Sequence, residues 1–370
     1  MVIKHIELDN FLSYKQIKVS LSSGINVFSG KNAAGKTNLA ESIYFASLAK
    51  SSKSLKDKEL INWEQKSGAR VKVEVCKEGY EQTIEIHIDN LGKKRATIDD
   101  TPVTRLGELV GTLKVVYFSP DELKLIKDSP QDRRRFLDIS LCQQKKLYFY
   151  NLQKYNKVLK QRNQLLRNHK DKDYLKPMIA VCDKVLIELG AYIIAERKAF
   201  IDTFKDIALA YNSALTNGAE VLEIAYQTEK VDPNNIKQGL EKLYKDTLER
   251  DIRLEHTSVG PHRDDLIILA NGIDLKKFGS QGQQRCAVLA MKIAEIKMFE
   301  LTSGEKPVLI LDDVLSELDE QRQAALLQEI KSLQAIITTT AKQIGGIDKY
   351  TLYQIEDSNI VNKKRIGNAG

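Results

Sequence analysis

The run Gly30-Lys31-Asn32-Ala33-Ala34-Gly35-Lys36-Thr37 constrains this chain more than any other segment. It reads G-x-x-x-x-G-K-T, a loop that requires a strand before it and a helix after it. Both are written in the flanks. Ile25-Asn26-Val27-Phe28 is a short apolar run suited to a buried strand, and Leu39, Ile43, Phe45 and Ala46 fit one side of a helix. The bland alternative is a Gly-rich turn with no ligand. In the functional reading the two glycines let the backbone wrap phosphate oxygens, with the helix N-terminus aimed at the anion. Lys36 then reaches the β- and γ-phosphates and Thr37 offers its hydroxyl to Mg²⁺. Lys31, Asn32, Ala33, Ala34 and Asn38 belong to the same cradle.

Two distant segments extend the site. Val308-Leu309-Ile310-Leu311 ends in Asp312-Asp313 and reads as a central parallel strand. The carboxyl ends of such strands are where open α/β sheets bind ligands. Asp312 is placed to hold Mg²⁺, which wants hard oxygen ligands. Asp313 either orients or deprotonates an attacking water, or caps the next helix. Gly279-Ser280-Gln281-Gly282-Gln283-Gln284-Arg285 precedes a helical stretch over 286–301, whose Leu289, Ile293, Ile296 and Phe299 share a core face. Ser280 and Gly282 supply a hydroxyl and a bare backbone that can approach phosphate. A molecule already holding phosphate on its own loop has no need of a second such helix start, which suggests a site completed by another molecule.

Ser280-Gln281-Gly282-Gln283 resembles the signature motif of ABC-type ATPases, and Ser316-Glu317-Leu318-Asp319 resembles their D-loop. The opening Ile6-Glu7-Leu8-Asp9-Asn10-Phe11, followed by Gly24-Ile25-Asn26 and the phosphate loop, resembles the SMC and RecF branch. Matches to the RecF family of bacterial recombination mediators cover nearly the whole chain. They are the segment from Asn32 to Leu39, Phe118-Ser119-Pro120-Asp121-Glu122-Leu123, Ser129-Pro130 with Arg133-Arg134-Arg135-Phe136-Leu137-Asp138, Gly260-Pro261-His262-Arg263-Asp264-Asp265, and the segment from Asp312 to Asp319.

The resemblance implies an α/β fold, an ABC-type P-loop ATPase head with mixed sheets plus a helical arm lobe. It implies ATP and Mg²⁺ as cofactors, with Lys36, Asp313 and Ser280 catalytic and Thr37 and Asp312 on the metal. Ser280, Gly282, Gln283 and Asp319 would serve nucleotide across an ATP-dependent homodimer. That dimer would clamp duplex DNA at single-strand gaps and, with RecO and RecR, promote RecA loading in DNA replication, repair, recombination and the SOS response. Three departures are consistent with weak, switch-like hydrolysis. Ser119-Pro120 stands where such ATPases often have Gln, Thr338-Thr339-Thr340 where they often have a switch His, and Asp313 where Glu is usual. A transporter-type motor ATPase is the runner-up, opposed by the arm length and missing coupling motifs. An SMC-like structural clamp is disfavoured by the short arm: about 240 residues separate Thr37 from Ser280, where SMC proteins insert far more.

The 370 residues suffice for two lobes, expected as a head over 1–122 and 286–370 and an arm over 123–285. No apolar run approaches the ~20 residues of a membrane helix. Residues 1–14 carry Glu7 and Asp9 and show no secretory apolar region, so a cytoplasmic protein is expected. The end at Gly370 is read as leaving no room for a further nuclease domain. Cys76, Cys142, Cys182 and Cys286 are scattered, which argues against metal sites and disulfides. Net charge is +7, yet residues 145–176 hold ten basic and two acidic side chains, net +8, leaving −1 for the rest. This cluster is a footprint for nucleic acid, a solvated helix face, or an attraction for membrane phosphates. Arg133, Arg134, Lys154, Lys157, Lys160 and Arg162 are the DNA candidates.

Patterning supplies the remaining elements. Val71, Val73 and Val75, and then Ile84, Ile86 and Ile88, alternate as half-buried antiparallel strands. Val115-Val116-Tyr117-Phe118 reads as a buried strand. Ser129, Pro130 and Asp132 form a helix start. Leu152, Tyr155, Leu159 and Leu166 mark one helix, a longer one runs from Pro177 towards Tyr211, and Pro233 opens another. Residues 266–278 read as a hairpin turning at Asn271-Gly272. Late strands are expected near 335–338 and 350–355.

Overall fold

The computed structural model describes every residue except 66, 168–171, 229–230, 232–234 and 368–370, and the side chains of 172–174. The helix start expected at Pro233 and the charges of Lys170 and Asp171 therefore lie outside the described residues. The chain separates into two units, Met1–Glu122 with Leu289–Gly370, and Leu123–Val288.

The first unit contains two six-stranded sheets. One is antiparallel throughout, in the order β2 (Tyr14–Ser20), β1 (Val2–Phe11), β4 (Ala69–Lys77), β5 (Tyr80–Ile88), β6 (Lys94–Ile98), β7 (Thr101–Pro102). The alternating valines of β4 and isoleucines of β5 are buried, as a sheet with one solvated face demands. The other sheet runs β15 (Asn359–Ile366), β14 (Tyr350–Glu356), β3 (Ile25–Ser29), β13 (Ala335–Thr339), β12 (Val308–Asp312), β8 (Val115–Phe118). All of its pairings are parallel except the β14–β15 hairpin. Strands β3, β8, β12 and β13 are buried at every position, the pattern of strands covered on both faces.

Helix α1 (Lys36–Leu48) packs against strands of both sheets, which is why Leu39, Ala40, Ile43, Phe45 and Ala46 are all fully buried. Gln334 joins the sheets. Its amide donates to the Ile3 and Ser22 carbonyls at 2.7 Å and accepts from the Ile3 amide at 2.6 Å. Most of α8 (Gln281–Ser303) and all of α9 (Glu320–Ile330) also belong to this unit.

The second unit is mainly helical: α2 (Lys124–Lys127), α3 (Pro130–Gln144), α4 (Lys146–Arg167), α5 (Lys172–Leu215), α6 (Ile236–Leu254) and α7 (Leu275–Phe278). A small antiparallel sheet joins them, in the order β11 (Ile273–Asp274), β10 (Asp265–Ala270), β9 (Leu222–Gln227). Helix α3 starts at the Ser129/Asp132 capping box with Pro130 in its first turn.

The elements depart from the sequence reading in several places. Helix α5 begins at Lys172 and carries Pro177 inside it as its sixth residue, so the helix starts earlier than the proline suggested. The hairpin turns at Asn271 and Gly272, both with positive φ, but its second strand stops at Asp274. The Asp274 carboxylate accepts from the Lys276 amide at 2.8 Å and starts a helical turn instead. Strands β9 and β15 carry weak apolar patterns, and the sequence reading passed over both.

Candidate nucleotide site and candidate nucleic-acid interface

The parallel strand order places the predicted phosphate loop and acidic pair at one sheet edge. Strand β13 lies between β3 and β12, with Thr338 in register with both Phe28 and Asp312. The phosphate loop leaves the end of β3, and Asp312 closes β12. Within the loop Ala33 and Gly35 take positive φ, 64° and 106°. A β-carbon on Gly30 would lie 2.3 Å from the Ile355 carbonyl oxygen, and one on Gly35 would lie 2.9 Å from the Ser358 hydroxyl. The loop is thus clasped from behind, and the Ser358 amide also donates to the Ala34 carbonyl at 3.0 Å. Tyr14 donates to the Gly35 carbonyl at 3.0 Å, and Asn38 to the Ser13 hydroxyl at 2.8 Å.

Lys36 is buried and donates to the Gly30 and Lys31 carbonyls, both at 2.7 Å. Burial lowers its pKa, an effect opposed by the nearby Asp313 and Asp312 carboxylates. Three hydroxyls converge on Asp312. Thr37 and Thr338 donate to Oδ1 at 2.9 and 2.6 Å, and Tyr117 donates to Oδ2 at 2.9 Å. Tyr117 and Thr338 were not assigned to this carboxylate from sequence. The available signal was the hydroxyls of Tyr117 and of Thr338 in two mostly apolar, buried strands, since a buried hydroxyl is costly unless bonded.

Asp313 adopts φ 58°, and its amide donates to the Thr338 carbonyl and hydroxyl at 3.2 and 3.0 Å. The following helical turn starts after Val314 without a side-chain cap, and Asp313 Oδ1 is buried with no hydrogen-bond partner among the described residues. The donor set fits a magnesium nucleotide. A hydroxyl and a carboxylate face each other at Thr37 and Asp312, an ammonium lies within the loop, two glycine positions admit no side chain, and one buried acidic oxygen is left to accept a hydrogen bond.

Ser280 is exposed and caps α8, which begins at Gln281 rather than at Cys286. Its hydroxyl accepts from the Gln283 amide at 3.2 Å, and Gln283 Oε1 accepts from the Ser280 amide at 2.9 Å, a capping box. Asp319 caps α9, accepting from the Arg322 amide at 2.9 Å. Gly282 lies in the first turn of α8.

The DNA candidates divide. Lys154, Lys157 and Lys160 are exposed at spacings of three along α4. Arg162 corrects the reading. It is 0% exposed and pairs with Asp251 at 2.7 Å and with Asp183. No buried, neutralised guanidinium can serve as a DNA contact. Arg133 is corrected likewise: it is buried and grips Asp265 through two bonds of 2.6 and 2.9 Å. Arg134 is half-buried, and its guanidinium donates to the Asp264 carbonyl at 2.6 Å. The two family motifs that contain these arginines and aspartates therefore meet in one polar core. There Arg197 bonds the Pro261 carbonyl and Asp138 at 2.7 and 2.8 Å, and Tyr155 bonds His262 Nδ1 at 2.7 Å. Burial pushes His262 down to about 4.

Fold and site together define a P-loop ATPase head of the ABC type carrying a helical arm. The family described as RecF/RecN/SMC N terminal domain matches residues 2–358. The chain is 43% identical over 350 residues to the DNA replication and repair protein RecF of Clostridium acetobutylicum, covering 95% of each chain. It is 40% identical over 360 residues to the protein of that name from Lachnoclostridium phytofermentans, covering 97% of each. A solved structure of the recombination mediator protein RecF-ATP in the RecFOR pathway is similar with a TM-score of 0.90 and 33% identity, over 99% of this chain and 97% of that one. An Smc head bound to the C-winged helix domain of ScpA shares the fold, with a TM-score of 0.59 at 16% identity. The chain belongs to the RecF family of DNA replication and repair proteins. Among the described residues, no helix is long and apolar enough to cross a membrane.

Proposed function

We propose that this protein is a cytoplasmic, ATP-dependent DNA-binding ATPase of recombinational repair. The observation that carries the reading is the meeting of Lys36, Thr37, Asp312 and an Asp313 oxygen without a partner among the described residues, at the carboxyl ends of the parallel strands. In this reading Lys36 neutralises the β- and γ-phosphate oxygens, and Thr37 and Asp312 hold Mg²⁺. The metal supplies charge neutralisation across those phosphates. Asp313 Oδ1 accepts a hydrogen bond from the attacking water. With a carboxylate one methylene shorter than Glu, it orients that water less closely, consistent with weak, switch-like hydrolysis.

A second copy supplies the Ser280 hydroxyl and the Gly282 backbone, with Gln283 and Asp319 fixing the helix starts that face the nucleotide. ATP binding thus favours a homodimer that clamps DNA at a single-strand gap. Lys154, Lys157 and Lys160 are the phosphate contacts retained in this account. The structural relatives named for the RecFOR pathway support RecO and RecR as partners, and in this reading the outcome is RecA loading.

Fluorescence anisotropy tests this with gapped, duplex and single-stranded DNA, with and without ATP, over a range of salt. The expected result is tightest binding to gapped DNA, strengthened by ATP and weakened by salt. Binding indifferent to nucleotide contradicts the proposal.

A further inference from the structure

We infer that Tyr117 is a positioning residue for Asp312, fixing the plane of the carboxylate that the nucleotide-site reading assigns to Mg²⁺, and the inference rests on that reading. Tyr117 stands on β8 in register with Ile310 of β12. Its side chain therefore shares a sheet face with Ile310 and, two residues on, with Asp312. From there the phenol reaches Asp312 Oδ2 at 2.9 Å in a buried contact. The other oxygen, Oδ1, receives Thr338 at 2.6 Å and Thr37 at 2.9 Å.

A carboxylate bonded through both oxygens cannot turn about its Cβ–Cγ bond without breaking a hydrogen bond. Thr37, of the metal set itself, and Thr338 both donate to Oδ1, whereas Tyr117 donates to Oδ2. The phenol is in turn fixed from two sides. Its ring meets Tyr44 of α1 edge-on, with centroids 5.4 Å apart. Ser52 lies beside its hydroxyl, and Ser52 bonds the buried Glu41 carboxylate through its hydroxyl and, at 3.0 Å, through its amide. The neighbours of Tyr117 on β8 are Val115, Val116 and Phe118. An apolar residue would continue that strand, so the hydroxyl is the departure that needs a partner, and Asp312 is that partner.

Removing a group that orients a metal ligand weakens metal affinity by about 10- to 100-fold. Tyr117→Phe removes the hydroxyl and keeps the ring. The probe is Mg²⁺, titrated against the thermal unfolding midpoint of the full chain at saturating adenosine 5′-(β,γ-imido)triphosphate. The expected result is a half-saturating Mg²⁺ concentration raised by about 10-fold, with analogue binding in EDTA unchanged. Tyr353→Phe is the control. Tyr353 lies in the same sheet, stacks on Phe28 at 4.6 Å and donates to the Ser20 carbonyl at 2.7 Å, away from Asp312. Its loss should lower the midpoint without moving the Mg²⁺ curve.

A Tyr117→Phe curve superimposable on the parent's overturns the inference, and so does an equal displacement in Tyr353→Phe. A parent protein with no response to analogue and Mg²⁺ overturns the nucleotide-site reading itself, and the inference falls with it.

Discussion

Arg162→Met should destabilise the arm unit, not merely loosen DNA. Arg162 is fully buried on α4, with Asp251 at 2.7 Å, itself 0% exposed, and Asp183 as its second carboxylate. The Thr257 hydroxyl completes the set at 2.9 Å. Met fills much of the same volume but leaves two carboxylates without their cation. Breaking a buried ion pair by removing one member costs about 3–5 kcal/mol. For a unit of this size, that corresponds to a fall in melting temperature of roughly 6–20 °C. Burial already raises the Asp183 pKa against the pull of Arg162, so loss of the arginine raises it further. A carboxyl raised in the folded state gains stability as pH falls, because folding then takes up a proton. The deficit of the variant should therefore shrink on going from pH 8 towards pH 5.

Scanning calorimetry of the full chain is the assay, with Lys157→Gln as the exposed comparison on the same helix, expected within about 0.5 kcal/mol of the parent. Replacing Asp183 and Asp251 by Leu in the Arg162→Met background should restore much of the loss, since exchanging a whole buried ion set for apolar groups is often neutral. An Arg162→Met protein that melts with the parent yet loses DNA affinity would return Arg162 to the surface as a DNA contact.

Lys36→Met should abolish ATP turnover, measured by phosphate release, while far-UV circular dichroism stays unchanged. Normal turnover would remove the nucleotide site from the phosphate loop. Asp313→Asn should slow phosphate release while nucleotide stays bound in a filter assay, because the oxygen that would hold the water loses its charge. Changing Lys154, Lys157 and Lys160 together to Gln should lower the salt slope of DNA binding by up to about 0.9 per lost phosphate contact, and an unchanged slope would make them a solvated face. His262 is held down to about 4 by burial, against 6.5 in an open chain. Its share of stability is present above pH 6.5 and disappears as pH falls towards 4, where the unfolded chain takes up the proton first. His262→Gln should therefore flatten that part of a melting-temperature profile.

The head was legible because its chemistry is local. Eight consecutive residues and their flanks specify the phosphate loop, and an apolar run with two aspartates specifies the end of β12. What escaped was contact between strands remote in sequence: Tyr117 and Thr338 meet Asp312 only because the parallel order places β8, β12 and β13 side by side. The arm misled for a different reason. Charge was read as exposure, although the spacing already objected. Tyr155, Leu159 and Leu166 leave one gap in a four-three-four rhythm, and position 162 fills it. Arg162 thus occupies a core position of α4, and the two aspartates that satisfy it come from α5 and α6. Strand β15 was missed because most of its residues are exposed and its place is set by pairing with β14 rather than by an apolar pattern.

Whether two copies share each nucleotide is decided by light scattering of the protein with and without ATP, compared with Ser280→Arg. Ser280 is exposed and starts α8, so the substitution should leave the fold and ATP binding by each copy intact. If two copies share each nucleotide, the parent should double its mass on adding ATP, and Ser280→Arg should stay monomeric and turn over little ATP. A Ser280→Arg protein that dimerises with ATP as readily as the parent, at normal turnover, would contradict the account.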